Sequence, residues 1–291
     1  MFRIKSFLCG CCQSDANRGV EEQVVSIPDP QRTGPETIQI TVKTETNAKI
    51  MPKIIISDVE KTKLLNLRVI EGDILPDTTE ITINPFGVIE GGRKKQDGIT
   101  YFGSQKYTIN PATSEQELYN DILLNDVSVG SQHAMISYDP SAKSYYLKDL
   151  GEGSGTFIKI DQELQLKSGF TISFGDTHML ALINETNEGP TLVLKFVEGP
   201  KINEVYTFKP LDKIAKVGRM SDCEIKFDGT NLSRYQCTLE YKEDKGWVVS
   251  DGFNGKPSTN GTWLFVQDFF EITQDEIVKI GQTLFKITLA T

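Results

Sequence analysis

Histidine and tryptophan are scarce in this chain, with two residues of each among 291. His133 and His178 have no matching nucleophile or acid constellation around them, which leaves little for acid–base or metal-assisted catalysis. Both read as structural hydrogen-bonding residues, and no catalytic residue, metal site or cofactor is implied. No run reaches the ~18 apolar residues of a spanning helix, and the opening MFRIKSFLCGCC is too short and too interrupted for a secretory segment. The chain is therefore expected in the cytoplasm. Positive charge is not in surplus either: 31 Lys and Arg face 40 Asp and Glu, a net charge of −9. Such a surface repels polyphosphate and argues against nucleic acid as a partner. Five cysteines, three crowded at the N-terminus and Cys223 and Cys237 far downstream, make no disulfide framework. Cys223 and Cys237 sit in apolar, strand-like stretches and read as buried thiols.

A helical apolar period of useful length is also missing; the best stretch, SEQELYNDILL, is short and runs into a β-branched strand. What is present is strand after short strand. Residues 1–58, with Pro28, Pro30, Pro35 and Pro52 among polar residues, read as a flexible tail in which only Ile38–Val42 alternates as an edge strand would. From Lys61 the runs LLNLRVIEG, EITINP, HAMISY, SYYLKDL, TFIKI, FTISFG and HMLALI are punctuated by Gly, Pro, Asn and Asp. A second series, TLVLKFVEG, EVYTFKP, CEIKF, CTLEY, GWVVSD, TWLFV, EIVKIG and TLFKITL, follows in nearly the same order and spacing. This is an internal duplication of whole β-sandwich domains, since repeats of about a hundred residues are too long for solenoid units. The expected domains are 59–184 and 190–291, separated by a linker from Asn184 to Gly189.

In the second repeat four elements fall in order: Gly218-Arg219 after a strand, Asn231-Leu232-Ser233-Arg234 before a strand, Asp251 ending one, and Ser258-Thr259-Asn260-Gly261-Thr262 before the next. This order, closed by Ile280-Gly281, resembles forkhead-associated (FHA) domains, which bind phosphothreonine. A phosphothreonine carries a charge of about −1.5 to −2 and three acceptor oxygens, so its receptor needs a cation, hydroxyl donors and free N–H groups. Arg219, Ser233 and Thr259 supply those types. The resemblance implies an all-β fold of two tandem sandwiches and a phosphothreonine-dependent interaction role. It places Arg219 and Ser233 on the phosphate, Arg234 and Thr259 in the same pocket, and Asn260 on the bound peptide's backbone. One departure is Gln236 where the family usually has His; an amide can partly replace that side chain in loop packing.

The first repeat matches less well. Gly130-Ser131-Gln132-His133 and Ser154-Gly155-Thr156 replace the serine and asparagine, and either Gly92-Arg93 or the Tyr101–Ser104 stretch fills the arginine slot. It is expected to bind unphosphorylated partners or its neighbour. Residues 60–184 hold 11 basic against 17 acidic residues, a balance of −6, and residues 190–291 hold 13 against 14, or −1, which also favours the second repeat for an anion. At the N-terminus Cys9, Cys11 and Cys12 follow apolar and basic residues, a pattern similar to S-acylation sites; metal binding and unmodified thiols are the competing readings. The combined expectation is a non-enzymatic signalling adaptor that recruits a threonine-phosphorylated partner and is tethered to the cytosolic face of a membrane. A phosphate-independent scaffold built from degenerate FHA folds is the alternative.

Overall fold

The computed structural model describes residues 63–290 except 213 and 229–231, together with the backbone of 23–28 and 37–42. Residues Lys5–Lys53 form one unit, whose described part is an antiparallel pair, Gln23–Pro28 with Thr37–Val42. The alternating Ile38–Val42 stretch is thus in a strand, with a partner inside the expected tail. The remainder is a second unit, all β among the described residues, as expected; SEQELYNDILL supplies two short strands, Gln116–Leu118 and Ile122–Leu123.

Three of its sheets build the sandwiches, and a fourth is the short pair Tyr107–Ile109 with Gln116–Leu118. One runs through eleven strands in the order Val205–Phe208, Gly189–Glu198, Thr177–Thr186, Thr171–Phe174, Trp263–Phe265, Thr156–Lys159, Ile277–Ile280, Thr283–Ala290, Leu64–Glu71, Glu80–Asn84 and Gly87–Val88. Two five-stranded sheets complete two sandwiches. The first contains Phe270–Glu271, Ser144–Asp149, Ala134–Asp139, Ile99–Gly103 and Ile122–Leu123. The second contains Leu164–Gln165, Gly246–Asp251, Cys237–Lys242, Ile214–Gly218 and Ile225–Lys226. Alternation sets which face is buried: Leu65, Leu67 and Val69 point into the first core, and Leu192, Leu194 and Phe196 into the second.

The expected boundaries, 59–184 and 190–291, mark the sequence repeats but not the sandwiches. Each repeat gives its closing strands to the other. Strand Thr283–Ala290 of the second repeat pairs with Leu64–Glu71 of the first, while Thr177–Thr186 of the first pairs with Gly189–Glu198 of the second. The two ladders are counterparts: Leu284 opposes Glu71 and His178 opposes Glu198, and each carries a bulge immediately afterwards. The first core therefore contains Val266, Ile272, Val278, Ile280, Phe285 and Ile287, and the second contains Ile160, Leu166, Ile172, Phe174, Met179 and Ala181. At about 1.5 kcal/mol or more for each fully buried side chain, each set contributes roughly 10 kcal/mol of gross burial, comparable to the net stability of a domain.

The connection explains the exchange. Thr186 pairs directly with Gly189, so the expected linker is a hairpin turn with only Asn187 and Glu188 at its tip. A turn this short spans roughly 10 Å, too little to start a separate sandwich. It holds the end of one repeat against the start of the next, where a hairpin closes at low entropic cost. The first strand of the first repeat is then free to accept the last strand of the chain. Cys237 and Cys223 are buried and free, as expected. Cys237 lies in a strand, whereas Cys223 lies in the turn before Ile225–Lys226.

Candidate functional site

Three chain segments meet at one end of the second sandwich. Strand Ile214–Gly218 delivers Arg219, residues 232–236 lead into Cys237–Lys242, and residues 252–262 join Asp251 to Trp263. The Arg219 N–H donates to the Ser233 and Arg234 carbonyls at 3.3 and 3.1 Å. That approach requires Gly218, because a Cβ there would sit 2.3 Å from the Arg234 oxygen. Ser233 Oγ accepts the Thr259 N–H at 2.8 Å and donates to Thr259 Oγ1 at 3.3 Å, which ties the second and third segments together. Arg219, Ser233, Arg234 and Thr259 are thus brought to one place. Arg219, Arg234, Thr259 and Asn260 are exposed, and neither guanidinium is ion-paired with a described carboxylate. Asn231 lies outside the described residues.

Beneath these loops is a polar hub. Gln236 is buried, and its side-chain amide donates to Ser258 Oγ, the Gly261 carbonyl and Thr262 Oγ1 at 3.0, 2.9 and 3.1 Å. Asp251 accepts from the Ser258 N–H and from the Ser258 and Thr262 hydroxyls at 2.9, 2.6 and 2.6 Å. An amide donor therefore holds the loops together from beneath, as expected of Gln236 at the position where FHA domains usually carry histidine. Trp263 Nε1 donates to the Asn260 carbonyl at 3.1 Å and props the loop tip from the sheet side. Sequence reading missed Trp263, whose only signal was its place beside Asn260-Gly261-Thr262.

The first sandwich repeats the loop backbone without this chemistry. Leu124 bonds to Gly103 as Phe227 does to Gly218, and His133 bonds to Phe102 as Gln236 does to Val217. Ser104 therefore occupies the place of Arg219. Arg93 lies elsewhere: it bonds Asp121 at 2.9 Å, Asp97 at 3.2 Å and the Ile99 carbonyl at 2.9 Å, and stacks 4.5 Å over Tyr101. Burial disfavours its charge, but Asp121 and Asp97 outweigh that and raise its pKa above the ordinary value. Arg93 is thus committed to holding its own loop.

Gly130 stands where Ser233 does, and Glu152 fills the space. A Cβ on Gly130 would lie 2.3 Å from the Glu152 Cβ, and the Glu152 carboxylate accepts the Gln132 N–H at 3.0 Å. A carboxylate at this point repels a phosphate. His133 takes the hub position: Nδ1 accepts the Gly130 N–H at 3.1 Å, which leaves Nε2 to donate to the Gly155 carbonyl at 3.0 Å. His178 is half-buried, with Nδ1 2.6 Å from Ser173 Oγ, and burial lowers its pKa. Among the described residues no cluster of His, Cys, Asp and Glu has the makings of a metal site.

A double β-sandwich with exchanged closing strands, and with arginines, hydroxyls and a buried hub at one loop end, belongs to the class of loop-based interaction modules. The FHA domain family model matches residues 101–175 and 215–282, and the chain is a tandem FHA-domain protein. FHA domains are phosphothreonine-binding interaction modules rather than catalytic domains. No curated protein matched the chain.

Proposed function

We propose that this protein is a non-enzymatic adaptor that binds a threonine-phosphorylated partner through the loops of its second sandwich, with the first sandwich serving as scaffold. The observation that carries the reading is the pair of exposed guanidinium groups, Arg219 and Arg234, beside the Ser233–Thr259 hydroxyl pair. Charge-assisted bonds from such groups to a dianion contribute about 1.5–3 kcal/mol each. Asn260, exposed at the loop tip, would hold the peptide main chain. The test is titration of a phosphothreonine peptide library against the whole chain, beside the unphosphorylated library and Arg219→Ala. The whole chain is needed because the second sandwich takes its closing strands from the first repeat. Binding that requires both phosphate and Arg219 supports the reading, and phosphate-independent binding moves the protein to the scaffold class. A turnover screen with phosphoesters, expected to be blank, tests the non-enzymatic part.

The phosphate-independent reading is favoured for the first sandwich by Glu152, whose side chain excludes a serine at position 130. Cys9, Cys11 and Cys12 lie outside the described residues. Their sequence pattern supports acylation and tethering at the cytosolic face of a membrane, and metabolic labelling with an alkynyl fatty acid, lost when all three become serine, is the check.

A further inference from the structure

Where the eleven-stranded sheet passes from one sandwich to the other, its outer face carries a groove of about 970 Å³ whose rim is the loop Ser258–Gly261. Strand exchange creates it. Thr156–Lys159 of the first repeat and Trp263–Phe265 of the second pair antiparallel there, with Lys159 opposite Trp263, and Ile277–Ile280 follows on the far side of Thr156–Lys159. Residues of both repeats thus form one surface that neither repeat would have alone.

The groove has a polarity of its own. Lys279 Nζ lies 6.0 Å from the centre of the Trp263 ring and has no carboxylate partner among the described residues. Lys159 is neutralised by Asp161 at 2.9 Å. Glu71, which also lines the groove, is two strands from Lys279 through Leu284, roughly 10 Å away. Asp251, also in the lining and beneath the Asn260 loop, is engaged by Ser258 and Thr262, whereas Lys279 rests against an indole, a surface suited to a carboxylate next to an apolar or aromatic side chain. Trp263 links the groove physically to the loop tip through its bond to the Asn260 carbonyl.

We propose that this groove receives the part of the phosphorylated partner that flanks the phosphothreonine, with an acidic side chain on Lys279 and an apolar or aromatic one on Trp263. The proposal rests on the phosphothreonine reading of the adjacent loops. It makes the two-repeat junction a determinant of specificity, which phosphate contacts alone do not supply.

The probes are two phosphothreonine libraries, of 5 and of 13 residues with the phosphothreonine central, titrated against the full chain and against Lys279→Glu and Lys279→Ala. The long library should bind the wild type about five- to tenfold more tightly than the short one and enrich Asp or Glu at outlying positions. Lys279→Ala should bring the long-to-short ratio to about one, and Lys279→Glu should turn the enrichment to Lys or Arg. A ratio of one in the wild type, with phosphate-dependent binding of the short library, overturns the groove and leaves the phosphate reading standing. Phosphate-independent binding of both libraries overturns both.

Discussion

Ser104 and Arg219 leave equivalent strands behind the same glycine, above loops that share the same backbone bonds, yet one sandwich presents two cations with no ion-pair partner among the described residues and the other a carboxylate. The difference resides in a handful of side chains: Ser104, Gly130 and Glu152 on one side, and Arg219, Ser233 and Thr259 on the other. Both sandwiches retain the hub beneath, His133 with Asp149 or Gln236 with Asp251. The loop geometry therefore depends on the hub and the strands, while the charge offered at the loop end depends on residues that can change without disturbing either.

The largest effect should come from the closing strands that join the two halves. Phe285 belongs to the second repeat but is fully buried in the first core against Phe102, with ring centres 5.9 Å apart. Phe285→Ala should cost about 3–5 kcal/mol, read by denaturant unfolding. A cysteine pair at Asn66 and Thr288, directly opposite in the exchanged ladder, should oxidise to a disulfide in the full chain. If each repeat kept its own closing strands, these positions would lie in different sandwiches and no crosslink would form.

Next in size is the anion site. Arg219→Ala should weaken phosphopeptide binding by roughly 10- to 100-fold, the loss of one charge-assisted contact, measured by fluorescence anisotropy. The first sandwich offers the converse experiment. Ser104→Arg alone should not create phosphate binding while Glu152 fills the pocket, whereas the same change combined with Glu152→Gly, which removes both the carboxylate and the Cβ that crowds Gly130, should. Binding by the single variant would mean that Glu152 is no barrier and that the missing cation is the whole difference.

The hub comes third. Gln236→Ala leaves the Gly261 carbonyl without its buried donor, for a cost of about 1–3 kcal/mol, and loosens the Thr259–Asn260 loop. Gln236→His should restore most of the melting temperature, because the first sandwich shows an imidazole in that role.

The smallest effect concerns acid. Burial favours the neutral form of Asp126, but the N–H groups of Ser128 and of Gln282, the latter from the other repeat at 2.7 Å, outweigh it and lower the pKa. A carboxyl whose folded pKa is depressed contributes stability that is present above its unfolded pKa of about 3.9 and is lost as pH falls through the folded value. Asp126→Asn should therefore flatten the acid limb of the stability profile below about pH 4 and lower stability at neutral pH without changing its pH dependence there. An unchanged acid limb would remove Asp126 from the bonds that secure the exchange.

Much of this was readable in advance. Alternating burial and turn residues announced the strands, and the order of Gly218-Arg219, Ser233-Arg234 and Thr259-Asn260 announced the loop site, because those residues carry their chemistry locally. The first repeat's arginine slot stayed open because Gly92-Arg93 and Gly103-Ser104 are both glycine-led; only the parallel pairing of Ile99–Gly103 with Ile122–Leu123 decides it. Glu152 gave no sign, since a carboxylate in a Gly-rich loop reads as solvated surface until Gly130 is found against it.

By itself the sequence determined that the chain folds as duplicated β-sandwiches and that the second repeat carries the cationic and hydroxyl loop residues, because strand periodicity and residue chemistry are local properties. Only the tertiary structure decided which strands close which sandwich. The two repeats offer nearly interchangeable strands, so periodicity cannot tell partner from self; the two-residue turn at Asn187-Glu188 does, because it holds one repeat's last strand against the next repeat's first.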